Sequence, residues 1–167
     1  DITVRKLADE RLIRLSYYDE LTVLANLRLF ADRLQQTLNL ANRNKTSVAL
    51  FYLDLDHFKD INDKMGHAAG DEILKEASRR LTSTLRDSDV AARLGGDEFV
   101  LLLPGTDSTA AVQVAKKILK MFRKPYLLTD TTAALGASIG IAVYPQNGRE
   151  GETLVNRADT AMYNSKK

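Results

Sequence analysis

The tightest constraint on this chain is the run from Val90 to Leu103, apolar on both sides of the adjacent glycines Gly95 and Gly96. Such a run reads as two short strands around a tight turn, because a Gly-Gly pair supplies the positive φ angles that short hairpin turns require. The turn also carries what an ordinary hairpin does not, two consecutive carboxylates, Asp97 and Glu98. Like charges this close repel, and one takes up a proton unless a cation lies between them. Glycines that admit a ligand to the backbone, beside carboxylates that call for a cation, point to a nucleotide–metal site. A plain solvated hairpin tip is the reading that the rest of the chain must exclude.

A second apolar run, Val48 to Leu55, is nearly continuous and ends in Asp54-Leu55-Asp56-His57. Burial on both faces suits a central strand, and the acids mark where it leaves the core. Between the two runs, Ile73, Leu74, Ala77, Leu81 and Leu85 recur at helical spacing. A strand–helix–strand crossover returns the chain in the same direction. The strand ending at Asp54 and the strand ending at Gly95 therefore finish at one edge of a sheet. Asp54, Asp97 and Glu98 are expected to converge there.

The segments around this centre complete the pattern. Residues 1–17 place Val4, Leu7, Ala8, Leu12 and Leu15 on a helix, either packed on its own domain or ending a linker from an upstream sensor. Asp19-Glu20-Leu21-Thr22 interrupts it. A second helix carries Leu27, Phe30, Leu34 and Leu38, and Asn42-Arg43-Asn44-Lys45 is expected to break it. Phe58 to Asp71 reads as a polar, glycine-bearing loop around a short helical turn. Ser108 or Asp107 caps a helix bearing Val112, Ala115, Ile118, Leu119 and Phe122. Tyr126 to Leu128 and Ala134 to Val143 read as a strand pair, and Leu154, Val155, Ala158 and Met162 set a last helix. This is the split βαβ pattern: a palm-like α/β sandwich with a mostly antiparallel central sheet flanked by helices.

Composition removes several classes of function. With 167 residues the chain fits one domain, read as residues 18–167 preceded by the helix of 1–17. A net charge of +2 gives no reason to expect a nucleic-acid partner or a membrane surface. There is no cysteine, so no disulfide, thiolate metal site or cysteine nucleophile. No apolar run approaches the roughly 18 residues that span a bilayer, which reads as a cytoplasmic domain. The chain opens at Asp1 without a methionine, which reads as a piece of a longer protein that could hold a membrane anchor elsewhere.

Three carboxylates at one strand edge, without cysteine or a histidine cluster, select a hard cation such as magnesium or manganese. Such an ion leaves positions open for substrate phosphates and suits an in-line displacement at phosphorus. No Walker-type lysine loop is present. Backbone N–H groups of the Phe58–Asp71 stretch can meet phosphates, with Lys59 adding charge. Asn62 and Asp71 have the donors and acceptors to read a base. His67 is either structural or a ligand.

These residues resemble the GGDEF domains, the diguanylate cyclases of bacterial signalling. Arg93-Leu94-Gly95-Gly96-Asp97-Glu98-Phe99 is similar to the family signature, and Asp19-Glu20-Leu21-Thr22 with Asn26 to its opening motif. Asp54 to Asp63, then Gly66-His67 and Gly70-Asp71, resembles the second block. Ser138-Ile139-Gly140-Ile141-Ala142 and Ala158-Asp159-Thr160-Ala161-Met162-Tyr163 resemble the closing blocks. The resemblance implies condensation of two GTP to cyclic di-GMP with loss of two pyrophosphates, by a homodimer presenting one GTP per subunit. It implies that Asp54, the Leu55 carbonyl and Asp97 hold the metals, with Glu98 in support, and that Asp97 accepts the proton of the attacking hydroxyl. It further implies guanine binding by Asn62 and Asp71, with Phe58, Lys59 and Lys166 on the phosphates and Gly95, Gly96 and His67 lining the GTP site. Arg86-Asp87-Ser88-Asp89 stands where the family has its inhibitory product site, so Arg86 and Asp89 are expected to bind cyclic di-GMP. Two residues depart from the family pattern: Val23 stands where glycine is usual and Leu27 where arginine is usual. Altered local packing is expected there. The competing reading is a catalytically silent domain that binds GTP or cyclic di-GMP as a receptor or scaffold.

Overall fold

The computed structural model describes residues 1–166. The order of elements is α1 (Ile2–Tyr17), α2 (Leu27–Asn44), β1 (Val48–Leu55), α3 (Phe58–Met65), α4 (His67–Thr84), β2 (Val90–Gly95), β3 (Glu98–Pro104), α5 (Ser108–Phe122), β4 (Tyr126–Leu127), β5 (Thr132–Ala133), β6 (Ala137–Tyr144) and α6 (Gly151–Ser165). The main sheet runs β2-β3-β1-β6, with each neighbouring pair antiparallel. β1 and β2 both pair antiparallel with β3, so they run parallel to each other and end at one edge.

Strand alternation divides the core into two layers. Ala49, Phe51, Leu53 and Leu55 face α3, α4 and α5, with Phe99, Leu101 and Leu103 beside them. Val48, Leu50 and Tyr52 face α2 and α6, with Val100 and Leu102. β1 is thus central and covered on both faces. The α6 layer sits unusually close. A Cβ on Gly140 of β6 would collide with the Ala158 carbonyl and the Met162 N–H of α6. Glycine at 140 lets α6 lie directly on the sheet, and its last turn then reaches the strand edge that ends in Asp54.

Several expectations need correction. The Phe58–Asp71 stretch is not a loop but two helices meeting at Gly66, whose φ of 94° turns the corner. α2 does end inside the Asn42–Lys45 stretch, at Asn44, with Lys45 in the left-handed region. Tyr126–Leu127 pairs with Thr132–Ala133, whereas β6 starts only at Ala137 and joins the main sheet. Asp107, not Ser108, caps α5, accepting from Ala110 N. α1 buries no residue, so its apolar side chains do not pack into the domain. Among the described residues no helix is long and apolar enough to cross a membrane.

The turn between α1 and α2 is held by Asp19, whose carboxylate accepts from Thr22 N at 2.9 Å and Thr22 Oγ1 at 2.7 Å. Inside it, Val23 has φ 64° and is 71% exposed. A β-branched residue in the left-handed region carries a penalty of about 1–2 kcal/mol, and no contact in a buried core offsets it. Val23→Gly is expected to raise the melting temperature by about 2–4 °C, the shift that roughly 1 kcal/mol makes in a domain of this size. Differential scanning calorimetry decides it; an unchanged or lower melting temperature would show that Val23 is not strained.

Candidate functional site

The site forms where β1 ends beside the β2–β3 turn. Gly95 at φ 145° and Gly96 at φ 49° make that turn possible, and a Cβ built on either meets nothing within 4 Å. Conformation, not crowding, requires glycine there, and the space above is open. The turn is tied to β1 by Leu55 N donating to Asp97 O at 3.3 Å, and the register sets Asp54 opposite Glu98.

Of the three acids, the structure brings Asp54 and Asp97 together and sends Glu98 to another partner. Tyr52 Oη donates to Glu98 Oε2 at 2.7 Å. Burial, then Glu98, raises the Tyr52 phenol above its ordinary range, so the hydroxyl stays a donor. Asp97 is the acid whose proton affinity is raised. Burial, and next the neighbouring Asp54, push it up to about 7, with Lys166 pulling the other way. The rise in proton affinity expected of the adjacent Asp97–Glu98 pair falls on Asp97, and its causes are burial first and then Asp54, not Glu98. Among the described residues no three His, Cys, Asp or Glu side chains stand ready as a metal cluster.

The donors nevertheless fit a hard cation. Asp54 Oδ1 is buried with no N–H or hydroxyl donor on it, an arrangement that is costly unless a proton on Asp97 or a cation answers it. Lys166 Nζ lies 2.9 Å from Asp54 Oδ2 and 3.6 Å from Asp56 Oδ1, so one positive charge already balances these acids. Asp54, Asp97 and the Leu55 carbonyl would hold a magnesium or manganese ion, oxygen donors all.

The other expected residues fall into place unevenly. Phe58 is a core residue at 9% exposure, so only its backbone can serve a phosphate. Lys59 is exposed in the first turn of α3, and Asp71 is exposed in the first turns of α4. Asn62 Nδ2 meets His67 Nδ1 at 3.0 Å. Arg86 and Asp89 are not poised for a ligand: Arg86 Nη2 donates to Asp89 Oδ1 at 2.9 Å and to Pro104 O at 2.8 Å, and Nε donates to Asp89 Oδ2 at 3.2 Å. The guanidinium fork must leave Asp89 before it can grip a guanine.

The sequence reading missed three supporting residues. Tyr52 stands two positions before Asp54, on the same face, and is the one hydroxyl in an otherwise apolar strand run. Asp56 accepts from Ser138 Oγ at 2.7 Å, and Lys166 leans on it. Arg93 donates from Nη1 to Asp19 Oδ1 at 3.1 Å and from Nε to Gly96 O at 3.0 Å. It joins the α1–α2 turn to the glycine turn. A single arginine before a glycine pair was the available signal, and its partner lies 74 residues away.

Asp97 makes stability depend on pH. Its proton leaves near 3.8 in an unfolded chain and near 7 in the folded one. Between these values the folded chain holds the extra proton, so stability falls as pH rises through that window. In a chelator, the wild-type melting temperature is expected to fall relative to Asp97→Asn from about pH 4 to about pH 7. Parallel melting curves for the two chains would show that Asp97 is not held protonated.

A family model described as "Diguanylate cyclase, GGDEF domain" matches residues 16–167. MucR of Pseudomonas aeruginosa, named a bifunctional diguanylate cyclase/cyclic di-GMP phosphodiesterase, is 42% identical over 95% of this chain. TpbB of the same organism, named a diguanylate cyclase, is 40% identical over 97% of it. The chain spans 23% of MucR and 38% of TpbB. The solved GGDEF domain of TpbB superposes with a TM-score of 0.88 at 41% identity, covering 90% of this chain and 88% of that one. The coiled coil and GGDEF domain of DgcB from Caulobacter crescentus, solved in complex with c-di-GMP, gives 0.87 at 28% identity, covering 99% and 89%. An antiparallel palm with Gly95-Gly96-Asp97-Glu98-Phe99 at its strand edge, matched over almost all its length, belongs to the GGDEF family of diguanylate cyclase domains.

Proposed function

We propose that this domain is an active diguanylate cyclase, joining two GTP molecules into cyclic di-GMP and releasing two pyrophosphates. The observation that carries the reading is the intact turn: two unobstructed glycines beside Asp97 and the buried Asp54 oxygen. In each half of the reaction the 3′-oxygen of one GTP bonds to the α-phosphorus of the other. The bond to pyrophosphate breaks, and the 3′-hydroxyl proton is released. One chain offers one turn, so both halves are completed where two chains face each other as a homodimer.

The residues divide the work. Asn62 and Asp71 bind the guanine, and the open backbone at Gly95 and Gly96 lets the triphosphate lie close. Lys59 and Lys166 offer positive charge to it, Lys166 by leaving Asp54. A bound magnesium or manganese ion supplies positive charge to the triphosphate oxygens. Asp97, poised near neutrality without a cation, can take up a proton; once it ligates a cation it becomes a weaker base. Its first role is therefore to hold charge at the turn. Arg86 and Asp89 form an inhibitory site for cyclic di-GMP, opened when the product's guanine replaces Asp89 on the arginine fork.

Incubation with GTP and magnesium or manganese is expected to give cyclic di-GMP and pyrophosphate, separated by chromatography. Asp97→Asn is expected to cut the rate by about 10²–10⁴-fold with the melting curve of a folded protein. GTP recovered unchanged from a dimeric sample would overturn the cyclase reading. Binding of GTP or cyclic di-GMP without turnover would instead establish a receptor domain. Arg86→Ala is expected to abolish inhibition by cyclic di-GMP while sparing the initial rate. An unchanged inhibition constant would remove Arg86 and Asp89 from product binding.

A further inference from the structure

Asn62 and His67 lie on different helices, on either side of the Gly66 corner, yet their side chains meet. Asn62 Nδ2 and His67 Nδ1 are 3.0 Å apart, with the amide donating. Gly70, in α4, stands against the other end of the same amide. A Cβ there would fall onto Asn62 Oδ1, with Asn62 Cγ at 3.0 Å and Phe58 Cζ at 3.2 Å. Gly70 is buried within a helix, where glycine lowers stability relative to alanine, and no left-handed φ calls for it. Its absent side chain is what lets the amide sit there.

We propose that His67 and Gly70 are positioning residues that clamp the Asn62 amide in one orientation and so set selectivity for guanine. The proposal rests on the reading of Asn62 as a base-binding residue. A side-chain amide has two N–H donors and a carbonyl. His67 engages one N–H through Nδ1 in the tautomer that carries its proton on Nε2. One N–H and the carbonyl remain, a donor beside an acceptor. Guanine offers the complement on one edge: its 2-amino group donates to Oδ1 and its N3 accepts from Nδ2. Hypoxanthine and adenine lack the 2-amino group and leave Oδ1 unanswered. In that tautomer a turned-over amide would aim its carbonyl at the His67 lone pair, and the two atoms would repel, so the clamp needs the Nε2–H tautomer. His67 therefore acts on the base through Asn62 and does not itself touch the nucleotide.

The test is binding of 3′-deoxy-GTP and 3′-deoxy-ITP, which cannot react because the attacking hydroxyl is missing. Calorimetric titration of the wild-type protein with magnesium is expected to show a guanine preference of about tenfold or more, the size expected for one buried hydrogen-bonding group left unpaired. His67→Ala and Gly70→Ala are each expected to reduce that preference to within about threefold, with the inosine affinity little changed. In an Asn62→Ala background neither substitution should have a further effect. His67 is exposed, so its variant keeps the fold and carries the test even if Gly70→Ala does not. A loss from His67→Ala that persists in the Asn62→Ala background means direct contact with the nucleotide and overturns the clamp alone. A wild type that binds neither nucleotide overturns the GTP site itself, and the clamp with it.

Discussion

The register between β1 and β3 is the constraint on which the rest depends. It sets Asp54 opposite Glu98 and lets Leu55 N meet Asp97 O. A slip of one residue would turn Asp54 from the α2/α6 face to the α3–α5 face and bury a carboxylate in hydrocarbon. The register is fixed by burial, since Phe51, Leu53, Phe99 and Leu101 are all fully enclosed on the α3–α5 face. Core packing thus specifies the position of the acids to within one residue, although no acid contributes to that packing.

The fold's broad design was legible because it rests on local periodicity. β1, α4, β2, β3 and α5 each follow from a run or a stripe of apolar residues. What was hidden depended on partners far away in the chain. Leu135-Gly136 breaks the Ala134–Val143 run, so β5 and β6 part and only β6 enters the sheet. Phe58–Met65 is polar on one side, which imitates a loop; one buried ring, Phe58, anchors it as a helix. The site was legible in the same measure. Asp54 and Asp97 meet as topology requires, but nothing in the spacing could show that Tyr52 would capture Glu98, or that Arg86 would fold back onto Asp89.

Asp19 and Arg93 show how a distant pair serves the centre. Burial alone would raise the Asp19 carboxyl, but hydrogen bonds from Thr22, with the charge of Arg93, hold it below the usual range. An ionised Asp19 is what keeps Arg93 extended toward the Gly96 carbonyl. The glycine turn is floppy by composition, and it is stiffened from outside by this arginine. The same pair ties the turn to the foot of α1, where Asn26 Nδ2 donates to Ser16 O.

The site is built under electrostatic strain, and the strain is what makes it able to bind. Asp54, Asp56, Asp97 and Glu98 gather at one edge, answered within it by Lys166 and by the Tyr52 and Ser138 hydroxyls, while burial and Asp54 push the Asp97 carboxyl up to about 7. The charge of Lys166 can be withdrawn, because a lysine just past the end of α6 can swing away. A fixed internal cation would satisfy the acids permanently and leave nothing to attract an ion or a polyphosphate. Lys166 can be such a removable charge because α6 lies close on the sheet over Gly140, which brings its end to the strand edge while leaving the side chain partly in solvent. The small residue at 140 and the charge at 166 are thus one device: the first sets the height of the helix, and the second uses it.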